Sequence, residues 1–166
     1  MKLRPCEPED LELLYTIENN PDMWDSADTE GLYSHYALKN YIASIQTIHE
    51  CGQLRLIIET EEDGESKSIG IIDLTDYSPL NARAEVGIAL LKEYRGKGLG
   101  AEALRIVENY AANRLHIHQL YAYVSPRNKN SWNLFSHNGY KLTARLPEWQ
   151  FEEGEFLETA LFTKIF

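Results

Sequence analysis

The fold prediction rests on one stretch of the sequence, Arg95-Gly96-Lys97-Gly98-Leu99-Gly100-Ala101. An apolar strand candidate at 84–91 precedes this stretch, and a predicted helix at 101–114 follows it. Glycine allows a positive φ and a close approach of the backbone. The start of a helix adds unpaired N–H donors and a partial positive charge. A glycine-rich turn between a strand and a helix therefore predicts a phosphate-binding loop.

The composition is that of an ordinary globular protein, and the length of 166 residues predicts a single domain, 1–166. No apolar run approaches the roughly 18 residues that cross a bilayer, so we expect no membrane span. The two cysteines, Cys6 and Cys51, form neither a disulfide framework nor a metal-ligand spacing, which predicts a reducing, cytoplasmic location. His116 and His118 lack a third ligand at a convincing spacing, so no metal site is expected.

The net charge of −10 argues against a nucleic acid partner, because proteins that bind nucleic acids usually present a basic face. The same charge favours the approach of a cationic partner. The alternative is that the acidic residues serve only to keep the protein soluble.

The hydrophobic periodicity predicts helices at 9–19, 33–50, 101–114 and 128–138. Strands are predicted at 3–5, 54–60, 68–74, 84–91, 119–125, 140–151 and 156–166. The acidic segment 20–30 is predicted to be a loop, and turn residues around Gly64 and Gly154 predict two hairpins. This order indicates a mixed α/β fold, a mostly antiparallel sheet flanked by helices.

Two motifs resemble the GNAT superfamily of acetyl-CoA-dependent N-acetyltransferases. Arg95 to Gly100 fits the acyl-CoA-binding pattern Gln/Arg-x-x-Gly-x-Gly/Ala, and Asn128 before a helix that ends at Gly139-Tyr140 fits the second half of the pattern. The resemblance covers the whole chain and implies the GNAT acyl-CoA N-acyltransferase fold, with acetyl-CoA as co-substrate. Within the superfamily the sequence looks most like the spermidine/diamine acetyltransferase branch. The same architecture also serves acetylation of protein N-termini and of antibiotics.

The cofactor-binding residues follow from the loop and from the resemblance. Backbone N–H groups of the loop, aided by the start of the next helix, are expected to hold the pyrophosphate. In the family the pantetheine arm pairs with the preceding strand, and Gly87 suggests a bulge that opens the sheet for it, with close packing as the alternative. Asn128 is expected to bind the same arm, to cap its helix, or to do both. The predicted set is Ile88, Ala89, Leu90, Arg95, Gly96, Lys97, Gly98, Gly100, Ala101 and Asn128.

Glu85 is the candidate catalytic base, because members of the family often place a glutamate on this strand. An alkyl amine with a pKa of about 10.4 is unprotonated about once in a thousand molecules at pH 7, which costs roughly 4–5 kcal/mol. A positioned carboxylate relieves that constraint at the reacting nitrogen. The alternative is that Glu85 pairs with Arg83 or Arg55, or lies near solvent.

Phe135 departs from the family pattern. Many members place a tyrosine seven residues after the asparagine, as general acid beside the sulfur, and phenylalanine has no proton to give. A thiol with a pKa of about 8.5 is a tolerable leaving group at neutral pH, so water, another tyrosine or unassisted departure remain open. A catalytically weak acetyl-CoA-binding module is the further alternative.

An acidic, aromatic segment supplies the candidate acceptor site. Its carboxylates match a polycationic amine through ion pairs, and Trp24 and Tyr33 could add cation–π contacts. The alternatives are a solvated acidic loop and a regulatory polyamine site at a subunit contact. Because members of the family often dimerise and polyamine acetyltransferases form larger rings, we expect a homo-oligomer. The predicted substrate-binding residues are Glu18, Asp22, Asp25, Asp28 and Glu30.

Overall fold

The computed structural model describes residues 1–21, 32–44, 47–152 and 154–166. Its strands are β1 (Lys2–Pro5), β2 (Leu54–Glu62), β3 (Glu65–Ser78), β4 (Arg83–Leu90), β5 (Gln119–Val124), β6 (Lys141–Glu152) and β7 (Glu155–Ile165). They form one seven-stranded sheet with the order β1-β2-β3-β4-β5-β7-β6. All neighbours are antiparallel except β4 and β5, which are parallel. The predicted mixed, mostly antiparallel sheet is confirmed.

The helices cover both faces of the sheet. They are α1 (Leu11–Glu18), α2 (His35–Ala43), α3 (Ile48–Cys51), α4 (Leu99–Asn113) and α5 (Lys129–His137), with short 3-10 helices at Pro8–Asp10 and Lys92–Tyr94. Leu104, Val107 and Ala111 of α4 are completely buried against one face. On the other face Leu14 and Ile17 of α1 and the apolar side of α2 bury a second cluster. Each buried leucine or isoleucine stabilises the fold by about 1.5–3 kcal/mol.

The single helix predicted at 33–50 is wrong, because the structure has two helices, α2 and α3, in that region. Thr47 has an extended backbone, with φ −68° and ψ 153°, and its side chain forms a capping box with Glu50. A capping box starts a helix by satisfying the first free N–H groups. The apolar spacing therefore continues through both helices, although the cap at Thr47 starts a new helix, α3.

The two predicted hairpins are confirmed. Asp63 and Gly64, both with positive φ, join β2 to β3, and Glu152 pairs with Glu155 where β6 meets β7. The strand β3 extends to Ser78, beyond its predicted end, because it continues to pair with β4. Among the helices of the described residues, none is long and apolar enough to cross a membrane.

Candidate active site

The glycine loop leads directly into α4. Gly96 and Gly98 have φ values of 71° and 79°, and Gly98 is the N-cap of the helix. A Cβ on Gly98 would meet no atom within 4 Å, so the positive φ, and not crowding, is what favours glycine there. The N–H groups of Ala101 and Glu102 donate to the Gly98 carbonyl, at 3.1 and 3.2 Å. The N–H groups of Leu99 and Gly100 are therefore the first-turn donors available to an anion.

Two cations flank this loop. Arg95 Nε donates to the Leu90 carbonyl at 2.8 Å and so ties the loop to the end of β4. Lys97 Nζ lies 5.5 Å from the centroid of the Tyr94 ring, and the Tyr94 hydroxyl donates to Glu62 at 3.2 Å. The predicted loop residues therefore lie together at one end of the sheet, with donors and positive charge suited to a pyrophosphate. Ala101 belongs to this group by position only, since its N–H is used inside the helix.

A gap opens between β4 and β5. Their pairing ends at Glu85 opposite Tyr121, whereas β4 continues to pair with β3 as far as Leu90 opposite Gly70. A Cβ on Gly70 would lie 2.3 Å from the Ala89 carbonyl oxygen, so glycine is needed for this close strand approach. The gap is the place where the sheet offers an unpaired strand edge to a ligand.

Backbone donors of β4 point into the gap. The Leu91 N–H donates to the Ile69 carbonyl on β3 at 2.9 Å. Because successive residues of an antiparallel strand alternate in direction, the N–H groups of Ile88 and Leu90 point away from β3, towards the gap. The Leu90 carbonyl points the same way, as its bond with Arg95 shows. Ala89 instead directs its backbone to β3, so two of the three predicted strand residues present donors.

The bulge expected at Gly87 is wrong. Gly87 lies opposite Asp73 in an unbroken register with β3, and a Cβ there would meet no atom within 4 Å, which also removes close packing as the reason. The irregularity of β3 lies between Thr75 and Ser78. The opening of the sheet therefore coincides with the end of the pairing between β4 and β5 at Tyr121, and not with an irregularity at Gly87.

Glu85 lies at the mouth of this gap. Its neighbours Ala84 and Val86 point into the core, so Glu85 points to the opposite face, on which its partner Tyr121 also lies. Tyr121 reaches across β4 and donates its hydroxyl to Asp76. Burial raises the pKa of Tyr121, and Asp76 and then Glu85 raise it further. Asp76 and Tyr121 lie beside the candidate base, and the sequence analysis missed both, since no motif marks them.

Asn128 and Phe135 lie on the far side of the gap. Asn128 Oδ1 caps α5 by accepting from the Ser131 N–H at 2.9 Å, which leaves its Nδ2 hydrogens outside that cap. Phe135 is 3% exposed and packs edge-on to Tyr140, with ring centroids 5.0 Å apart. Burial, followed by the nearby Glu108 carboxylate, raises the pKa of Tyr140.

Glu18 is held by an arginine on the same face as Glu85. Arg55 donates to Glu18 at 2.5 Å and to Asp73 at 2.7 Å. Burial by itself lowers the pKa of Arg55, but the charge of Asp73 and the other neighbours raise it beyond the ordinary value. Glu18 remains a predicted substrate ligand whose charge is partly balanced by Arg55. The other predicted substrate-binding residues, Asp22, Asp25, Asp28 and Glu30, lie outside the described residues.

Comparison with known proteins gives the same family. The family of the acetyltransferase (GNAT) domain matches residues 1–141. A spermidine N(1)-acetyltransferase of Escherichia coli is 27% identical over 156 residues, which cover 94% of this chain and 81% of that protein. A ribosomal-protein-serine acetyltransferase of Escherichia coli is 24% identical over 118 residues, which cover 71% of this chain and 64% of the relative.

Solved structures share the fold. A spermidine N-acetyltransferase from Vibrio cholerae, in complex with CoA and spermine, superimposes with a TM-score of 0.89 at 22% identity, over 99% of this chain and 94% of that one. The family match covers most of the chain and includes the glycine loop, the gap and Glu85. The expectation of an acetyl-CoA-dependent acetyltransferase is therefore confirmed at the level of the family, and the chain belongs to the GNAT acetyltransferase family.

Proposed function

We propose that this protein transfers the acetyl group of acetyl-CoA to a primary amine of a polyamine such as spermidine, or of a diamine, by direct attack of the amine on the thioester. The observation that carries the proposal is the position of Glu85 at the mouth of a gap into which Ile88 and Leu90 point their N–H groups. The choice of acceptor is supported by the net charge of −10 and by the spermidine acetyltransferases among the relatives.

The residues divide the chemistry between them. The glycine loop and the start of α4 hold the pyrophosphate, because a helix N-terminus is suited to bind an anion. The open edge of β4 and Asn128 Nδ2 bind the pantetheine arm. A backbone N–H of Ile88 or Leu90 polarises the thioester carbonyl and stabilises the negative charge that develops on its oxygen. Glu85 accepts the proton that the substrate ammonium loses, directly or through water, so that the neutral amine attacks the thioester.

The departing sulfur has no side-chain acid at the position of Phe135. Water or another tyrosine supplies the proton, or the thiolate leaves unassisted, which a thiol pKa of about 8.5 allows at neutral pH. The loss of an acid reduces the rate of this step without changing how substrates bind. Phe135 therefore affects the rate of turnover, whereas the glycine loop and the gap determine the affinity for acetyl-CoA.

The test is thiol release from acetyl-CoA with spermidine, spermine, putrescine and N-terminal peptides as acceptors. We expect turnover on the polyamines, and a fall of about 10²-fold or more in kcat for Glu85→Gln, steepest at low pH where the free amine is scarcest. Glu61→Gln, an exposed position at the end of β2, is the matched control and should retain activity. A Glu85→Gln variant as active as Glu61→Gln would remove Glu85 from the mechanism.

Acetylation of a protein or peptide N-terminus is the second candidate. It is favoured by the ribosomal-protein-serine acetyltransferase relative, whose similarity covers 71% of this chain. Turnover confined to the peptides of the same panel would establish it in place of the polyamine. Tight acetyl-CoA binding without turnover on any acceptor would instead point to a weak acetyl-CoA-binding module, which Phe135 makes chemically reasonable.

We further propose a cytoplasmic homo-oligomer, a dimer or larger, that binds no nucleic acid. Cys6 and Cys51 are both free thiols, as a reducing compartment favours. A spermidine N-acetyltransferase from Vibrio cholerae with the same fold, at a TM-score of 0.81, has a dodecameric structure. Light scattering after gel filtration gives the mass directly, and a monomer of 19.1 kDa would contradict the oligomer.

A further inference from the structure

Three aromatic rings form a row that leads away from Glu85, defined by Tyr121, Tyr123 and Trp149. The ring centroids of Tyr121 and Tyr123 are 5.7 Å apart, and those of Tyr123 and Trp149 are 5.9 Å apart. The row begins beside Glu85, because Tyr121 is its strand partner and points to the same face. Exposure increases along the row, from 8% at Tyr121 to 38% at Tyr123 and 60% at Trp149. The row thus runs from the buried reacting centre to the surface.

Both ends of the row depend on irregular strand segments. Asp76, which accepts the Tyr121 hydroxyl, has a φ of 46° and lies where β3 shifts register. Glu148, next to Trp149, has a φ of 53°; it lies where β6 advances four residues, from Leu146 to Gln150, against two in β7. Non-glycine residues rarely adopt a positive φ, and bulges redirect side chains beside functional sites. These two distortions direct Asp76 to the first ring and Trp149 to the second.

We propose that this aromatic row binds the acceptor chain beyond its reacting nitrogen, so that Trp149 selects triamines and longer polyamines over diamines. The inference rests on the proposed function, since the reacting nitrogen is taken to lie at Glu85. Successive nitrogens of an extended aminopropyl or aminobutyl segment are about 5–6 Å apart from standard bond geometry. That spacing equals the spacing of the rings. An ammonium group is attracted to an aromatic face within about 6 Å of its centroid.

The matched spacing places one nitrogen of the acceptor at each ring of the row. With the first nitrogen at Glu85, the second lies near Tyr123, and a third lies near Trp149. A diamine such as putrescine has no nitrogen that reaches Trp149, whereas spermidine and spermine do. Chain length therefore predicts which variant affects which amine.

The experiment measures kcat/KM for butylamine, putrescine, spermidine and spermine with acetyl-CoA. We expect Trp149→Leu to lower kcat/KM for spermidine and spermine about three- to fivefold through KM, with butylamine and putrescine unchanged. Tyr123→Leu should lower kcat/KM for putrescine as well as for spermidine and spermine. Trp149→Phe should keep most of the kcat/KM that Trp149→Leu loses. Phe151→Leu is the matched control, because Phe151 is on the same strand, is 64% exposed and packs against Phe156.

Calorimetric binding of the same four amines to the same variants decides the matter even if turnover is absent. A selective loss of spermidine and spermine affinity in Trp149→Leu supports the row, while an equal loss for all four amines, or no loss, overturns it. If Trp149→Leu also lowers the mass in light scattering and affects every amine alike, Trp149 is a contact between copies, which likewise overturns the row. The proposed function fails separately, if the wild-type protein acetylates none of the four amines.

Discussion

Replacement of Gly98 by alanine tests the phosphate loop. With φ at 79° and no atom within 4 Å of a Cβ, alanine meets no steric clash, and the penalty comes from the backbone alone. An L-residue in the left-handed conformation lowers the free energy of unfolding by about 1–2 kcal/mol. Each kcal/mol lost lowers Tm by about 2–4 °C in a protein of this size. If the peptide rotates to relieve that strain, the N–H groups of Leu99 and Gly100 turn away from the anion. Loss of one hydrogen bond to a charged group, about 1.5–3 kcal/mol, raises the Kd for CoA by about tenfold or more.

Gly64→Ala is the control that separates strain from binding. Gly64 has a φ of 81° and also no atom within 4 Å of a Cβ, but it lies in the β2–β3 turn. Both variants should therefore lose a similar amount of Tm in differential scanning fluorimetry. Only Gly98→Ala should weaken CoA in isothermal titration calorimetry. An equal CoA affinity in the two variants would refute the assignment of the loop as the pyrophosphate site.

Three further changes address the acid, the cap and the pH range of stability. Phe135→Tyr restores the hydroxyl of the family pattern, and we expect kcat to rise about tenfold or more; an unchanged kcat in a folded variant would show that sulfur protonation does not limit turnover. Asn128→Ala should lose about 1 kcal/mol of stability as a lost helix cap and also raise KM for acetyl-CoA. Ser34→Ala, which removes the cap of α2, should show only the stability loss. Hydrogen bonds, above all from Arg4, lower the pKa of Glu59 from 4.5 to about 2, so its stabilising effect is complete above pH 4.5 and is lost as the pH falls towards 2. Glu59→Gln should flatten the fall of the free energy of unfolding over that range in urea titrations, and an unchanged slope would contradict it.

The sequence was informative where local rules act. Strand period, helix period and glycine turns are properties of neighbouring residues, so the order of elements and the loop at Gly98 could be predicted. The acceptor side could not, because Asp76 and Trp149 reach their positions through irregular pairing of β3 with β4 and of β6 with β7, which regular strand period does not predict. A positive φ at Glu148 also leaves no mark in the sequence, since glutamate rarely adopts it. At Thr47 the prediction failed for another reason: the apolar spacing continues across a helix cap, so the two helices were predicted as one.

Charge at the acceptor site poses two opposite requirements. Carboxylates attract a polyamine, but a carboxylate beside the reacting ammonium raises the pKa of that amine and so opposes the deprotonation that attack requires. Glu85 resolves the conflict only if it takes the proton itself, while the distant ammonium groups are held elsewhere, by neutral rings or by balanced groups such as Glu18 with Arg55. In the proposed mechanism, acetylation turns the reacting amine into a neutral amide, and the product loses the attraction that its ammonium form had to Glu85. The proposed base therefore also favours release of the product.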